Sequence, residues 1–247
     1  MMSVIRGMTV GLLGAAFAVL ATAPALAQGA PETRAQCANA DRRLPPEEQI
    51  GACTALMRTP GLAPGDMARL FNNRGNAYRA RAEYGMAVAD YDEAVRLDPD
   101  YANAYNNRGI AYRAAGAPSL AIASFDEAIR VNPRLAGAYA NRGNAFYDQG
   151  AYLRAITDLS AAIDLDPSYA NAYNNRGNAY RALRQMPQAI ADYDAAIRLN
   201  ADFAAAYSNR GRAYQDQGDM ERARADFATA LRLDPDSARY DELGLRR

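Results

Sequence analysis

The tripeptide Asn-Arg-Gly occurs at residues 73–75 and returns at 107–109, 141–143, 175–177 and 209–211, each time after 34 residues. When the five copies are aligned on the glycine, other residues fall into register. An aromatic residue stands four positions before each glycine and another stands three positions after it. Two alanine columns follow, from Ala87 to Ala223 and from Ala94 to Ala230. A fixed period of this length indicates a small unit stacked on copies of itself, because one unit cannot bury its own apolar face.

Each unit is predicted to contain two helices. In the first half, the two aromatics and the glycine lie on one stripe of a helix, and the small glycine allows a partner helix to approach closely. In the second half, Ala87, Tyr91 and Ala94 form a facing stripe with spacing i, i+4, i+7. The turn is marked in three units by Gly116, Gly150 and Gly218. A proline is expected to stop the second helix. It stands at Pro99, Pro133, Pro167 and Pro235, with Ala201 in its place in the fourth unit.

This pattern resembles the tetratricopeptide repeat family, which has 34-residue units with small, aromatic and proline residues at these positions. The resemblance covers residues 68–235. It implies an all-α fold, an α-solenoid of five tandem helix-turn-helix units at 68–101, 102–135, 136–169, 170–203 and 204–237. It also implies a protein that binds other proteins. One position departs from the family, because the residue before the repeated glycine is usually leucine there and is arginine in all five units here.

That arginine falls near the buried stripe, where a charge without a partner would be costly. The facing helix offers a carboxylate in four units and a hydroxyl in the second. The sequence therefore predicts an ion pair between the two helices of those four units. The expected acceptors are Asp90, Asp158, Asp192 and Asp226, with Ser124 in the second unit.

Residues 1–27 have the pattern of a secretory signal peptide. Arg6 precedes an uncharged run rich in Ala, Leu and Val, and residues 25–27 give a small-x-small cleavage pattern. The alternative is an uncleaved anchor, because residues 8–27 are about long enough to span a membrane. After cleavage, the mature chain is expected to begin near Gln28, without membrane insertion. It is expected in the periplasm of a Gram-negative bacterium or outside the cell.

Cys37 and Cys53 are the only cysteines, and both precede the regular units. In an oxidising compartment such an isolated pair most simply forms a disulfide, worth about 3 kcal/mol in the loop-closure model. Residues 28–67 are therefore interpreted as a degenerate helical cap clamped by that bond. The alternative, a redox-active pair, lacks the CxxC spacing. At the other end, the charge-rich residues 236–247 are expected to form a short capping helix.

Composition argues against several classes of function. Without residues 1–27 the chain keeps 27 arginines (28 minus Arg6) against 28 acidic residues, so bulk charge does not favour nucleic acid or anionic lipid. It contains no histidine and no lysine, and it shows no G-x-S-x-G, phosphate-loop or dinucleotide motif. Two cysteines without histidine do not make a zinc site. We therefore expect no enzyme, no cofactor and no metal.

Stacked helical hairpins curve into a superhelix whose first helices line a concave groove. In this chain those helices carry many asparagines, whose amide can both donate to and accept from a peptide backbone. The column that is asparagine in all five units is called the asparagine ladder here, and it resembles the ladder of other helical-repeat peptide binders. With about 10 Å per unit and about 3.3 Å per extended residue, five rungs would hold roughly a dozen residues.

The expected contact residues are the ladder (Asn73, Asn107, Asn141, Asn175 and Asn209) together with Asn76, Asn144, Asn178, Arg79, Arg113 and Arg181. The alternative is that the ladder only bonds to the backbone or to neighbouring units.

Three functions remain open from the sequence. The first is a non-enzymatic scaffold of the cell envelope that binds a protein or an extended peptide in the groove. The second is an exported binder of a small ligand, a sugar or an organic anion. The third is a structural protein whose copies join end to end. The charged C-terminal segment argues against this function. A monomer is therefore expected.

Overall fold

The computed structural model describes residues 31–39 and 43–235. The predicted signal peptide (1–27) and C-terminal capping helix (236–247) lie outside these residues. The described part of the chain contains twelve α-helices and no strand. They are α1 (Pro31–Ala38), α2 (Pro46–Met57), α3 (Pro64–Ala80), α4 (Tyr84–Leu97), α5 (Ala102–Ala114), α6 (Pro118–Val131), α7 (Ala136–Asp148), α8 (Tyr152–Leu165), α9 (Ala170–Ala182), α10 (Met186–Leu199), α11 (Ala204–Asp216) and α12 (Met220–Leu233).

The helices form hairpins that stack in chain order. Five hairpins, from α3–α4 (unit 1) to α11–α12 (unit 5), pack internally, and each second helix also packs on the first helix of the next hairpin. Successive first helices touch as well. This arrangement is the expected all-α solenoid, so the fold prediction is confirmed. Unit 1 begins one turn earlier than the boundary at 68, because α3 starts at Pro64 and proline suits the first turn of a helix.

Glycine in the repeated triplet lets the two helices of a unit touch. A Cβ added to Gly109 would lie 2.5 Å from a ring carbon of Phe125, and one on Gly75 would lie 2.8 Å from Tyr91. The members of both alanine columns are fully buried in every unit. The core of each unit is therefore one large side chain of the second helix, packed on small residues of both helices.

The turn inside each hairpin holds a residue in the left-handed region. Gly116 and Gly150 have φ angles of 76° and 75°, as their predicted role at the turn requires. In units 1 and 4 the same position is taken by Ala82 and Arg184, with φ angles of 59° and 61°. These two side chains accept a conformation that is costly for a residue with a Cβ.

The second helices end at one register in all five units, although Ala201 replaces the proline in unit 4. Proline is therefore not the common stop signal. What the units share is an aspartate or asparagine directly after the helix. In four units its side-chain oxygen accepts a hydrogen bond from the backbone N–H two residues later, an Asx turn that redirects the chain. These residues are Asp98, Asn132, Asp166 and Asn200.

α1 and α2 form a shorter hairpin in front of unit 1. Cys37 and Cys53 form a disulfide between them, with 4.7 Å between the Cα atoms, so the predicted pairing is confirmed. The buried side chain of Gln49 donates to the carbonyl of Cys37 at 2.9 Å and to the carbonyl of Asn73 in α3 at 3.3 Å. The disulfide thus joins α1 to α2, and Gln49 joins both to unit 1.

The last described helix presents a different outer face from the other second helices. Val88, Ile122 and Ile190 pack against core clusters that include residues of the next unit. α12 carries exposed Arg224 at that position, and exposed Ala228 where three earlier units have aspartate. Unit 5 therefore lacks the groups with which its predecessors receive a neighbour.

Candidate functional site

The arginine of each repeated triplet lies between the two helices of its own unit. In four units Nε and a terminal nitrogen donate to both oxygens of the facing aspartate at 2.7–2.8 Å. The pairs are Arg74–Asp90, Arg142–Asp158, Arg176–Asp192 and Arg210–Asp226. In unit 2, Nε of Arg108 donates to the hydroxyl of Ser124 at 3.1 Å. The predicted pairing is confirmed in every unit.

The same guanidinium groups also reach the preceding hairpin, a contact that the sequence did not predict. The remaining nitrogen of Arg142 donates to Asp126 of α6 at 2.6 Å, and the other four arginines bond to Asp92, Asp194, Ser160 or Thr54 in the same way. Each guanidinium lies 5.2–5.7 Å from the centre of the aromatic ring three residues earlier. The hydrogen bond to Asp158 raises the pKa of Arg142 above its usual value. The arginine column therefore ties three helices together and belongs to the framework.

The groove is lined by the first helices, α3, α5, α7, α9 and α11. Across units 3 to 5 it holds a recess of about 590 Å³ whose lining includes Tyr147, Asn175, Asn178, Arg181, Asn209 and Arg212. A recess of about 610 Å³ lies between the cap and units 1 and 2, and its lining includes Asn76, Arg79 and Asn107. A third, of about 240 Å³, is lined by Arg113, Asn144, Tyr147, Asp148, Asn175 and Asn178. The structure thus brings most of the predicted contact residues together at two stretches of the groove.

Two ladder residues do not line these recesses. Asn73 lies in a smaller apolar recess beside the disulfide, next to Leu56 and Leu70. Asn141 is half-buried between units 2 and 3.

The asparagine ladder is bonded from unit to unit. The amide nitrogens of Asn107, Asn141 and Asn209 each donate at 2.9 Å to an asparagine 35 residues earlier, in the preceding unit. Those acceptors are Asn72, Asn106 and Asn174. In the other two rungs the side-chain oxygen accepts from the preceding residue, at 3.4 Å for Asn73 and 3.2 Å for Asn175. Every rung therefore has one half of its amide engaged inside the protein.

A second asparagine column lies one turn further along the groove. The oxygens of Asn76 and Asn178 accept hydrogen bonds from the hydroxyls of Tyr91 and Tyr193 at 2.8 and 2.9 Å. Burial raises the pKa of Tyr91 to about 12, so its hydroxyl stays protonated and donates at neutral pH. In unit 3 the tyrosine is replaced by Leu159, and Asn144 has no such donor.

The predicted groove arginines differ in their charge partners. Arg113 pairs with Asp148 of the next unit at 2.5 Å, and Arg181 pairs with Asp216 at 2.7 Å. No aspartate or glutamate in the described ranges lies within ion-pair distance of Arg79, and its buried Nε has no hydrogen-bond partner there. Arg113 and Arg181, in the middle of the groove, are thus both neutralised. The two aspartates were missed in the sequence, and the signal that would have found them is again a spacing of 35 residues.

Residues 31–39 and 43–235 hold no group of three His, Cys, Asp or Glu side chains placed to bind a metal ion. Within the same residues no helix is long and apolar enough to cross a membrane.

Comparison with known families finds the same repeats. A model described as "TPR repeat" matches residues 75–116, 143–183 and 177–218. A model described as "Tetratricopeptide repeat" matches residues 102–135 and 204–237. Together the matches fall on all five units. No curated protein matches the chain significantly.

Several solved structures share the fold. MamA is 28% identical, with a TM-score of 0.59 over 67% of this chain and 97% of that chain. A fragment of MamA from Desulfovibrio magneticus RS-1 is 23% identical, with a TM-score of 0.62 over 71% of this chain and 99% of that chain. YrrB, described as a TPR protein with an unusual peptide-binding site, is 21% identical, with a TM-score of 0.58 over 79% of this chain and 98% of that chain. At these identities the structures support the shared architecture.

Proposed function

Because the chain belongs to the tetratricopeptide repeat family, we propose that it is a non-enzymatic scaffold that binds an extended segment of a partner protein in its groove. The family binds proteins and peptides through surfaces built on this framework. The peptide-binding site recorded for YrrB is a precedent for the fold and not for these residues.

The observation that carries the proposal is the chemistry of the groove wall. Its ladder asparagines are held at fixed positions by hydrogen bonds to the preceding unit or to the preceding residue, and within the described residues each keeps a donor or an acceptor that makes no internal bond. An extended backbone offers alternating N–H and C=O groups that such a wall can satisfy without reading the peptide sequence. The recess across units 3 to 5 has room for side chains beside that backbone.

We place the protein in the cell envelope or outside the cell, as a monomer. The disulfide of the cap supports an oxidising compartment, and residues 1–27 read as a signal peptide. Fractionation of the native host and N-terminal sequencing test this. A mature N-terminus near Gln28 in the soluble envelope fraction is expected, and recovery of the intact leader in the membrane fraction would contradict it.

Blocking the groove tests its role. Gly137, at the second position of α7, shares the column of the recess-lining residues Asn171 and Ala205, and a Cβ there meets nothing within 4 Å. Gly85, at the second position of α4, is equally open but lies on a second helix. Gly137→Trp should therefore fill the groove without disturbing the core, and Gly85→Trp is its matched control.

Twelve-residue peptides are first selected on the parent protein from a random displayed library, and their dissociation constants are measured by calorimetry. We expect Gly137→Trp to weaken binding at least ten-fold while Gly85→Trp leaves it within two-fold. Equal binding by both variants would move the site off the groove. Failure to select any peptide, with a rise in melting temperature on adding a sugar or an organic anion, would favour the small-ligand function instead.

A further inference from the structure

Unit 3 differs from the other units at two core positions, and both differences release a groove asparagine. Three other units carry asparagine at the position of Ala140. In each of them the side-chain oxygen of that asparagine accepts a hydrogen bond from the ladder asparagine of the next unit. Because alanine has no acceptor, the amide nitrogen of Asn175 makes no hydrogen bond within the described residues. Units 1 and 4 carry tyrosine at the position of Leu159, and that tyrosine bonds to the asparagine of its own unit. Because leucine has no hydroxyl, Asn144 makes no hydrogen bond to any described residue.

The two released amides lie together. Asn144 and Asn175 line one recess of about 240 Å³, and Tyr147 and Asn175 line both this recess and the large recess of units 3 to 5. Tyr147 is 37% exposed and packs against Tyr152 with 5.3 Å between ring centres, so its ring forms a fixed wall. Asn144 offers both a donor and an acceptor, and Asn175 adds a second donor. Two adjacent amides with free groups match the donor and acceptor pattern of one stretch of extended backbone.

The two predicted groove arginines nearest this point are each paired with an aspartate. Arg113 is paired with Asp148 and Arg181 with Asp216. A neutral ligand group therefore suits the centre of the groove better than a carboxylate or a phosphate, because neither guanidinium needs a further counter-charge.

The geometry points to the junction of units 3 and 4 as the anchor of the groove: Asn144 and Asn175 hold an uncharged stretch of extended peptide backbone, while the remaining ladder residues chiefly hold the units together. This inference rests on the proposed function, since it names the residues and the ligand chemistry of the same groove. It divides the asparagines into two groups that a mutational test can separate.

The test compares released and engaged asparagines with a selected twelve-residue peptide as the probe. Asn144→Ala and Asn175→Ala should each weaken binding about five-fold or more, the loss of one or two hydrogen bonds. The urea-unfolding midpoint of Asn144→Ala should stay near the parent's, because no internal hydrogen bond is lost. Asn175→Ala loses only the bond that its oxygen accepts from Asn174 at 3.2 Å, so its midpoint should fall less than the midpoints of the comparison variants. Asn107→Ala and Asn141→Ala are the comparison variants: because their amide nitrogens are engaged inside the protein, both should lower the unfolding midpoint and weaken binding less than Asn144→Ala does.

A second pair of variants leaves both asparagines in place. Ala140→Asn restores the acceptor for Asn175, as in units 1, 2 and 4, and Leu159→Tyr restores the donor for Asn144, as in units 1 and 4. Each should weaken peptide binding without loss of stability, and binding by either variant equal to the parent's overturns the inference. So does an affinity loss in Asn141→Ala equal to that in Asn144→Ala. If Gly137→Trp abolishes peptide binding while these variants do not alter it, the anchor proposal is wrong and the proposal that the groove binds the peptide is retained. If Gly137→Trp has no effect, both proposals fail.

Discussion

Two carboxylates share the guanidinium of Arg142, and their burial predicts that they matter unequally. Asp158 accepts two hydrogen bonds at 2.7 and 2.8 Å and its side chain is 8% exposed. Asp126 accepts one at 2.6 Å and is 52% exposed. Replacing each by asparagine keeps the shape and puts an amide donor where an acceptor stood.

The expected magnitudes follow from that burial. Removing one member of a buried ion pair costs about 3–5 kcal/mol. Because Arg142 is partly exposed and keeps Asp126 as a second partner, we expect a smaller loss of about 2–3 kcal/mol for Asp158→Asn. A surface pair is worth about 0–1 kcal/mol, which is the expectation for Asp126→Asn. For a protein of this size 1 kcal/mol shifts the melting temperature by about 2–4 °C. Asp158→Asn should thus lower it by about 5–10 °C and Asp126→Asn by at most about 4 °C.

Thermal and urea unfolding followed by circular dichroism measure both variants. The double variant Arg142→Leu/Asp158→Leu is the control, since replacing a buried pair by apolar side chains is often neutral or stabilising. It should recover most of the stability that Asp158→Asn loses. Equal losses for Asp126→Asn and Asp158→Asn would refute the claim that burial sets the strength of these contacts.

Three further predictions concern the core, the cap and alkaline pH. Gly109→Ala should destabilise the protein by about 1–3 kcal/mol, because the added Cβ would overlap the ring of Phe125 in α6. Gly137→Ala, where a Cβ meets open space, should stabilise the protein by up to about 1 kcal/mol. Urea unfolding compares the two variants. Replacing Cys37 and Cys53 by alanine should cost about 3 kcal/mol, seen as a lower urea midpoint that reducing agent no longer changes. Tyr91 has its pKa raised to about 12 by burial, so the native state keeps a proton that the unfolded state loses above about pH 10. Stability should be unaffected below about pH 10 and fall as pH rises towards 12, by roughly 2–3 kcal/mol, and Tyr91→Phe should flatten that fall.

The parts of this fold that could be predicted are those contained in one unit. The period, the close glycine contacts and the bond from Arg142 to Asp158 depend on spacings inside a single hairpin, where helical geometry relates one position to another. A charge near a buried stripe needs a partner, and only one position on the facing helix supplied it. These inferences required no knowledge of how the units stack.

The missed contacts cross from one unit to the next. The bonds from Asn141 to Asn106 and from Arg113 to Asp148 both span 35 residues, and they depend on the rise and rotation between hairpins, which the pattern within a unit does not contain. The prediction of the site was affected most, because the five ladder asparagines look alike in the sequence while their hydrogen-bond partners in the neighbouring units differ. Only the side chains at Ala140 and Leu159 separate the released asparagines from the engaged ones.

The outer face of α12 has a bearing on how such arrays grow. A hairpin duplicated within the array would meet, on the hairpin before it, an aspartate or serine for its arginine and an isoleucine or valine for its core, and would offer the same groups to the hairpin after it. A hairpin added after unit 5 would meet Arg224 and Ala228 instead. Lineages of this protein should therefore lengthen by internal duplication, with the terminal unit kept as a terminus. A designer wishing to extend the array would start by inserting copies before α11, leaving α12 last.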